Sequence, residues 1–204
     1  MTNSKIPQIL LLAYLGVFIV CAIEPYDRSV WWAENIPVIV IVALMIVYWK
    51  HYRFSNASYI LMSIFIFLHT IGGHYTFERV PFEFVSNLFG FERNHYDRMA
   101  HFSVGFYAYP IAELLLVRGL VHSRLVLYLF PVFSIVTVAG VYEIIEWWYA
   151  VSADEAAGIA VLGSQGDIWD AQKDILADTL GAITVMSIFS QVYRQQLAAI
   201  QIKS

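Results

Sequence analysis

Long apolar segments recur along this chain and constrain its fold more than any other feature. Runs of about 18–22 mainly apolar residues are long enough to cross the hydrocarbon core of a bilayer as α-helices. Charged residues make up only 14% of the 204 residues, whereas soluble domains carry about 25%. The pattern therefore predicts an all-α, polytopic membrane protein, folded as a single transmembrane helical domain over residues 1–204.

The hydropathy pattern predicts a bundle of six transmembrane helices. Trp31 and Trp32 begin the second span, and Trp147 and Trp148 end the fifth, as expected for aromatic residues at the two membrane–water interfaces. Pro110 lies within the fourth span and is expected to kink it. The predicted spans are residues 6–23, 31–49, 57–77, 97–117, 126–149 and 173–193.

Two shorter features complete this topology. Residues 78–95 are too interrupted by polar residues to cross the bilayer, and their aromatic residues predict a short interfacial helix between spans three and four. Residues 6–23 have the length of a signal peptide, but they lack a small-x-small cleavage site. Glu24, Pro25 and Asp27 follow directly, so we expect this segment to be retained as a helix.

Lysine and arginine in the short loops indicate the orientation of the chain. With the N-terminus inside, more of these residues fall on the cytoplasmic side than on the opposite side, which predicts that both termini are cytoplasmic. The modest net charge of -4 argues against a nucleic-acid partner. Membrane lipids are the expected partners, and the oligomeric state stays open. The residues predicted to be cytoplasmic are Lys5, Lys50, Arg53, Arg118, Arg124, Arg194 and Lys203.

Acidic residues and histidines concentrate at one predicted end of the bundle. Asp97 and His101 lie one helical turn apart at the start of span four. Glu143 and Glu146 share a face at the end of span five. If span six starts near residue 167, its four aspartates share a face through steps of three and four. The other members of the cluster are His69, His74, Asp167, Asp170, Asp174 and Asp178.

Part of this cluster has a simpler explanation. Asp167 and Asp170 could cap or precede the sixth span, where negative charge is favourable at a helix start. That explanation fails for Glu143 and Glu146, which lie near a helix C-terminus. A charge in the membrane costs about 3 kcal/mol or more unless it is paired or neutralised. The acids outnumber the nearby cations, so protonated carboxylates, protonated histidines or a bound cation must compensate.

Carboxylates with a histidine at i, i+4 spacing suit a divalent metal such as Zn²⁺, Mn²⁺ or Mg²⁺. We expect Glu146 to act as a general base beside the metal and Asp170 to contribute to catalysis. No HExxH or paired-cysteine signature identifies the metal. The expected metal ligands are Asp97, His101, Glu143, Asp174 and Asp178.

Three stretches together resemble the YjdF-like family of bacterial inner-membrane proteins. They are "HYDRMAHFSVGF" (95–106), "YEIIEWW" (142–148) and "GDIWDAQKDILADTLG" (166–181). The resemblance covers most of the chain and implies a six-helix protein of the bacterial inner membrane. More distantly, the order of polar residues is similar to that of VanZ-like proteins. Those proteins have Glu-x-x-Gln where this chain has Glu143-x-x-Glu146, so a role in glycopeptide resistance is not expected.

The cluster favours a membrane-embedded, hydrolase-like enzyme that acts on a lipid or a lipid-linked head group. Two alternatives stay open. Buried acids and histidines also form proton relays and ion sites in proton- or cation-coupled transporters. The same residues would tie helices together in a structural or assembly protein through interhelical hydrogen bonds.

Overall fold

The computed structural model describes residues 4–200, and these residues contain helices and no strand. Lys203 and the extreme ends of the predicted domain lie outside the described residues. An all-α fold is therefore confirmed for this part of the chain. The helices are α1 (Ile6–Ala22), α2 (Arg28–Tyr48), α3 (Asn56–Tyr75), α4 (Glu83–Phe89), α5 (Tyr96–Val104), α6 (Ala108–Val117), α7 (Arg124–Ser152), α8 (Glu155–Leu162), α9 (Asp170–Val192) and α10 (Arg194–Ile200).

Five helical segments of the described chain are long and apolar enough to cross a membrane: α2, α3, α5 with α6, α7 and α9. The prediction of a polytopic membrane protein is confirmed at this level. Helix α1 is also apolar, but it is shorter, at 17 residues. Between α5 and α6, a 3₁₀ turn at Gly105–Tyr107 interrupts the segment. Pro110 explains this turn, because it has no N–H to donate to the carbonyl of Phe106 four residues earlier.

Glu113 of α6 anchors the start of α3 at one end of the bundle. Its buried carboxylate accepts hydrogen bonds from the Ser55 backbone N–H at 2.7 Å and from the Ser58 hydroxyl at 2.5 Å. The Tyr52 hydroxyl donates to the same carboxylate at 3.4 Å. Burial, with a further contribution from the Glu113 charge, raises the pKa of Tyr52 to about 12. Glu113 therefore has a structural role, because hydrogen-bond donors satisfy its carboxylate oxygens.

Two glycines bring α5 and α9 into backbone contact. A Cβ atom on Gly181 would lie 1.9 Å from the Phe102 carbonyl oxygen, and one on Gly105 would lie 2.3 Å from the Asp178 carbonyl oxygen. Small residues allow such close approach between membrane helices. Both glycines make this contact within one chain. The crossing places the first turns of α5 directly against α9.

Helix α8 covers the opposite end of the bundle from Glu113. We call this end, which holds Asp97, Glu146 and Asp174, the acidic end. Gly158 allows α8 to lie close to α7, since a Cβ there would lie 2.7 Å from the Ala150 carbonyl oxygen. Apolar side chains of α8 also pack on the start of α2. A short helix therefore covers the acidic end of the bundle.

Candidate functional site

Three aspartates line one buried face of α9, as the sequence predicts. Asp170, Asp174 and Asp178 are all buried. Asp167 does not share this face, because α9 begins three residues later, at Asp170; Asp167 precedes the helix, as the simpler explanation expects. Asp167 instead accepts hydrogen bonds from Lys173 Nζ at 2.6 Å and from the Trp169 backbone N–H at 3.1 Å. The hydrogen bond from Lys173 is the main reason that the pKa of Asp167 is lowered.

His101 lies at the centre of the buried carboxylates. Its Nδ1 is 3.3 Å from Asp178 Oδ2, and its Nε2 is 3.7 Å from Asp97 Oδ1 and 3.8 Å from Asp174 Oδ1. The imidazole side chain is only 12% exposed. Because α5 crosses α9 at the glycine contact, one ring reaches carboxylates from both helices.

Asp97, His101 and Asp174 form a buried group that could bind a metal ion. Each offers one ligand atom, and these atoms lie within 4.8 Å of one another. Asp178 contacts the other nitrogen of His101, as outer carboxylates commonly do for metal-binding histidines. Asp178 and Glu143, both predicted to be ligands, lie outside this group of three.

Two arginines pair with the aspartates at the start of α9. The Arg98 guanidinium forms short ion pairs with both Asp170 and Asp174. Arg93 Nη1 lies 2.8 Å from Asp170 Oδ1 and 3.4 Å from Asp167 Oδ2. Asp170, which the sequence predicts to be catalytic, is therefore bound by two guanidinium groups. Arg93 was not among the predicted site residues, because it belongs to the loop before α5 and its contact with Asp170 spans more than seventy residues.

A cavity of about 320 Å³ lies beside His101. Glu146 lines this cavity, so it is in a position to contact a bound molecule. Glu143 does not belong to the lining, and its buried Oε1 has no hydrogen-bond partner among the described residues. The ionisable residues that line the cavity are Glu34, His69, Asp97, His101, Tyr107, Tyr142, Glu146 and Asp178.

Glu34, His69 and Tyr142 form a second buried group in the same cavity. Glu34 Oε2 accepts a hydrogen bond from the Tyr142 hydroxyl at 2.9 Å and lies 3.1 Å from His69 Nε2. Glu34 was not among the predicted site residues, although an acid inside span two is itself a signal of function. His69 belongs to the cluster as expected. His74 does not line the cavity, and its Nδ1 lies 2.9 Å from the Cys21 carbonyl oxygen.

The apolar helices and the buried ionisable groups define a polytopic integral membrane protein with an acidic and histidine cluster inside its bundle. Residues 6–195 match the family described as "Predicted membrane protein (DUF2238)". The chain is also 32% identical over 199 residues to the inner membrane protein YjdF of Escherichia coli (strain K12), covering 97% of this chain and 92% of that protein. The chain therefore belongs to this YjdF-containing family of membrane proteins, which confirms the resemblance seen in the sequence. No solved structure matches the chain.

Proposed function

We propose that the chain is a six-span protein of the bacterial inner membrane, folded as one transmembrane domain with both termini in the cytoplasm. Helix α1 is the additional span, since a mainly apolar helix of 17 residues suffices for a thin or untilted crossing. The exposed Phe84, Leu88 and Phe89 suit α4 to an interfacial position. The location is supported by the inner-membrane relative, and the orientation is supported by the distribution of lysine and arginine.

The function that the site supports best is metal-dependent, hydrolase-like chemistry on a lipid or lipid-linked head group. One observation carries this proposal: His101 contacts Asp178 through one nitrogen and faces Asp97 and Asp174 with the other. A divalent metal such as Zn²⁺, Mn²⁺ or Mg²⁺ would lower the pKa of a bound water and so supply a nucleophile. The cavity beside this group provides room for a substrate.

The carboxylates take distinct roles in this proposal. Asp97, His101 and Asp174 bind the metal, and Asp178 orients the imidazole of His101. Glu143 is the remaining ligand, because its buried Oε1 lacks a hydrogen-bond partner among the described residues. Glu146 is the general base on the cavity wall, since it is the acid of α7 that lines the cavity.

For Asp170, the proposal replaces the catalytic role that the sequence suggested with a structural one. Its contacts with Arg93 and Arg98 make it an anchor for α9. Arg98 also contacts Asp174 through the oxygen that faces His101. A metal ion therefore has to compete with this guanidinium or use the second oxygen of Asp174.

Metal analysis of the purified protein tests the proposal. After incubation with Zn²⁺, Mn²⁺ or Mg²⁺ and desalting, we expect about one ion per chain for one of these metals. The His101→Ala variant should retain less than about a tenth of the metal bound by wild-type protein, because the central ligand is lost. The control is His122→Ala, which removes an exposed histidine near the Glu113 end. Wild-type protein that binds none of the three metals, or equal binding by both variants, would contradict the proposal.

A proton- or cation-coupled transporter is the second candidate. The observation in its favour is that the Glu34–His69 pair and the His101–Asp178 pair line one cavity inside the bundle. Linked ionisable groups of this kind carry protons in pumps and transporters.

A flux assay separates this candidate from the enzyme. For a transporter, we expect proteoliposomes to show flux above the protein-free background under a pH or cation gradient. Glu34→Gln should lower that flux about tenfold or more, because it removes an ionisable member of the relay. Glu155→Gln, an exposed change on α8, should leave it unchanged. Flux that stays at background across pH and cation gradients would remove the candidate.

A further inference from the structure

The cavity is polar at the acidic end and apolar farther in. The inner wall includes Ile41 of α2 and Ile135 of α7. Its hydroxyl groups are already satisfied within the protein: Ser134 donates to the Phe130 carbonyl at 2.7 Å, and Tyr107 donates to the Met62 carbonyl at 3.3 Å. The inner half therefore offers a bound molecule an apolar surface.

The packing of the cavity walls indicates a lateral opening between α2 and α7, beyond the hydrogen bond that joins Tyr142 to Glu34. At the acidic end, the cavity is lined by the end of α8 and the residue that follows it: Val161, Leu162 and Gly163. Helix α2 packs on α3 and α8, and α7 packs on α6, α8 and α9, but α2 and α7 do not pack extensively on each other. Val138 of α7 lines the cavity and is nevertheless 58% exposed, so it lies at the opening. In a membrane-spanning bundle, this opening faces the acyl chains of the bilayer.

The charged side chains that line the cavity determine which kind of lipid head group could bind there. Four carboxylates and two imidazoles line it, and no lysine or arginine among residues 4–200 does so. Even with both imidazoles protonated, two of the four carboxylates still need a proton or a bound cation. Arg98, the nearest guanidinium, is held by Asp170 and Asp174. Asp178, only 1% exposed, lines the cavity with an Oδ1 that has no hydrogen-bond partner among the described residues. These groups can accept hydrogen bonds from a cation and would repel an anionic head group.

We infer that the cavity binds a membrane lipid whose head group carries a primary ammonium, with one acyl chain entering between α2 and α7. Glu146 and Ser134 are twelve residues apart on α7, which corresponds to about 18 Å along a helix. That length suits a head group followed by an acyl chain. A volume of about 320 Å³ is small for a ligand pocket, so the second chain stays in the bilayer. The inference rests on the proposed function in taking a lipid as the substrate.

The test measures lipid binding without turnover. Full-length protein is purified in detergent containing EDTA, mixed with equal amounts of phosphatidylethanolamine and phosphatidylglycerol of matched chains, and examined by native mass spectrometry. We expect about tenfold preference for phosphatidylethanolamine, which corresponds to about 1.4 kcal/mol. Glu146→Gln should reduce this preference severalfold, whereas Glu155→Gln should preserve it.

The opening is tested by a second pair of variants. Val138→Trp should reduce binding of both lipids severalfold, because the larger side chain narrows the opening. Val141→Trp is the control, since Val141 is exposed on the same helix but does not line the cavity. Free ethanolamine is added as a competitor and should not displace the lipid at equal concentration.

Each alternative result overturns the inference. Equal retention of the two lipids, or a preference that survives Glu146→Gln, would show that the cavity does not select an ammonium head group through Glu146. Equal lipid binding by Val138→Trp and Val141→Trp removes the lateral entry, and displacement by free ethanolamine shows that the acyl chain is not required. EDTA keeps the protein free of metal throughout this experiment, so the lipid measurement does not depend on whether the metal proposal is correct. The metal analysis likewise does not depend on lipid binding.

Discussion

Gly181→Val should yield almost no folded protein. The first side-chain atom at this position would lie 1.9 Å from the Phe102 carbonyl oxygen and 3.3 Å from the Gly105 Cα. Both are backbone atoms, so no change of rotamer relieves the overlap and the two helices must separate. Overpacking a core typically costs about 1–3 kcal/mol and more where the backbone has to move. We expect the free energy of unfolding to fall by more than about 4 kcal/mol, which exceeds the effect of most single substitutions.

Gly140→Val is the matched control for this experiment. Gly140 lies within α7, and a Cβ atom there would have nothing within 4 Å outside its own helix backbone and chain neighbours. Both variants are compared with wild type by size-exclusion chromatography and by thermal unfolding in the same detergent. Gly140→Val should elute and unfold like wild type. Gly181→Val protein with a melting temperature within about 2 °C of wild type would contradict the close crossing of α5 and α9.

Arg98→Met should destabilise the protein by about 3–5 kcal/mol, the cost of leaving a buried charge without its partner. The guanidinium binds both Asp170 and Asp174, and all three side chains are largely buried. Arg93 still pairs with Asp170 in this variant, so Asp174 is the carboxylate that loses its arginine. The free energy of unfolding is measured by denaturant titration in detergent.

Two further variants separate the ion pair from a general effect of losing an arginine. Arg79→Met removes a pair with Glu78 in which the arginine is 49% exposed, so it should cost less than about 1 kcal/mol. Adding Asp174→Asn to Arg98→Met should restore part of the lost stability, because the unpaired charge is removed. If Arg98→Met is no less stable than Arg79→Met, Arg98 does not neutralise the start of α9.

Much of the architecture follows from local sequence. Apolar length predicts helices that cross a membrane, because an unpaired backbone cannot exist in lipid. The step of four residues from Asp170 to Asp174 to Asp178 predicts their shared face, and the same step pairs Asp97 with His101. The start of α9 was harder to predict, so the sequence left open whether Asp167 shares this face or precedes the helix, and the structure shows that it precedes the helix. The metal, its ligands and the catalytic roles stay predictions.

The sequence by itself determined the kind of protein and the residues that gather at one end of it, because hydrophobic length and helical period act within each segment. Only the tertiary structure decided which side chains meet. The contacts of Arg93 with Asp170 and of Glu34 with Tyr142 join residues far apart in the chain. Such contacts depend on how closely and at which residues the helices cross, and a glycine such as Gly181 permits close approach without specifying its partner.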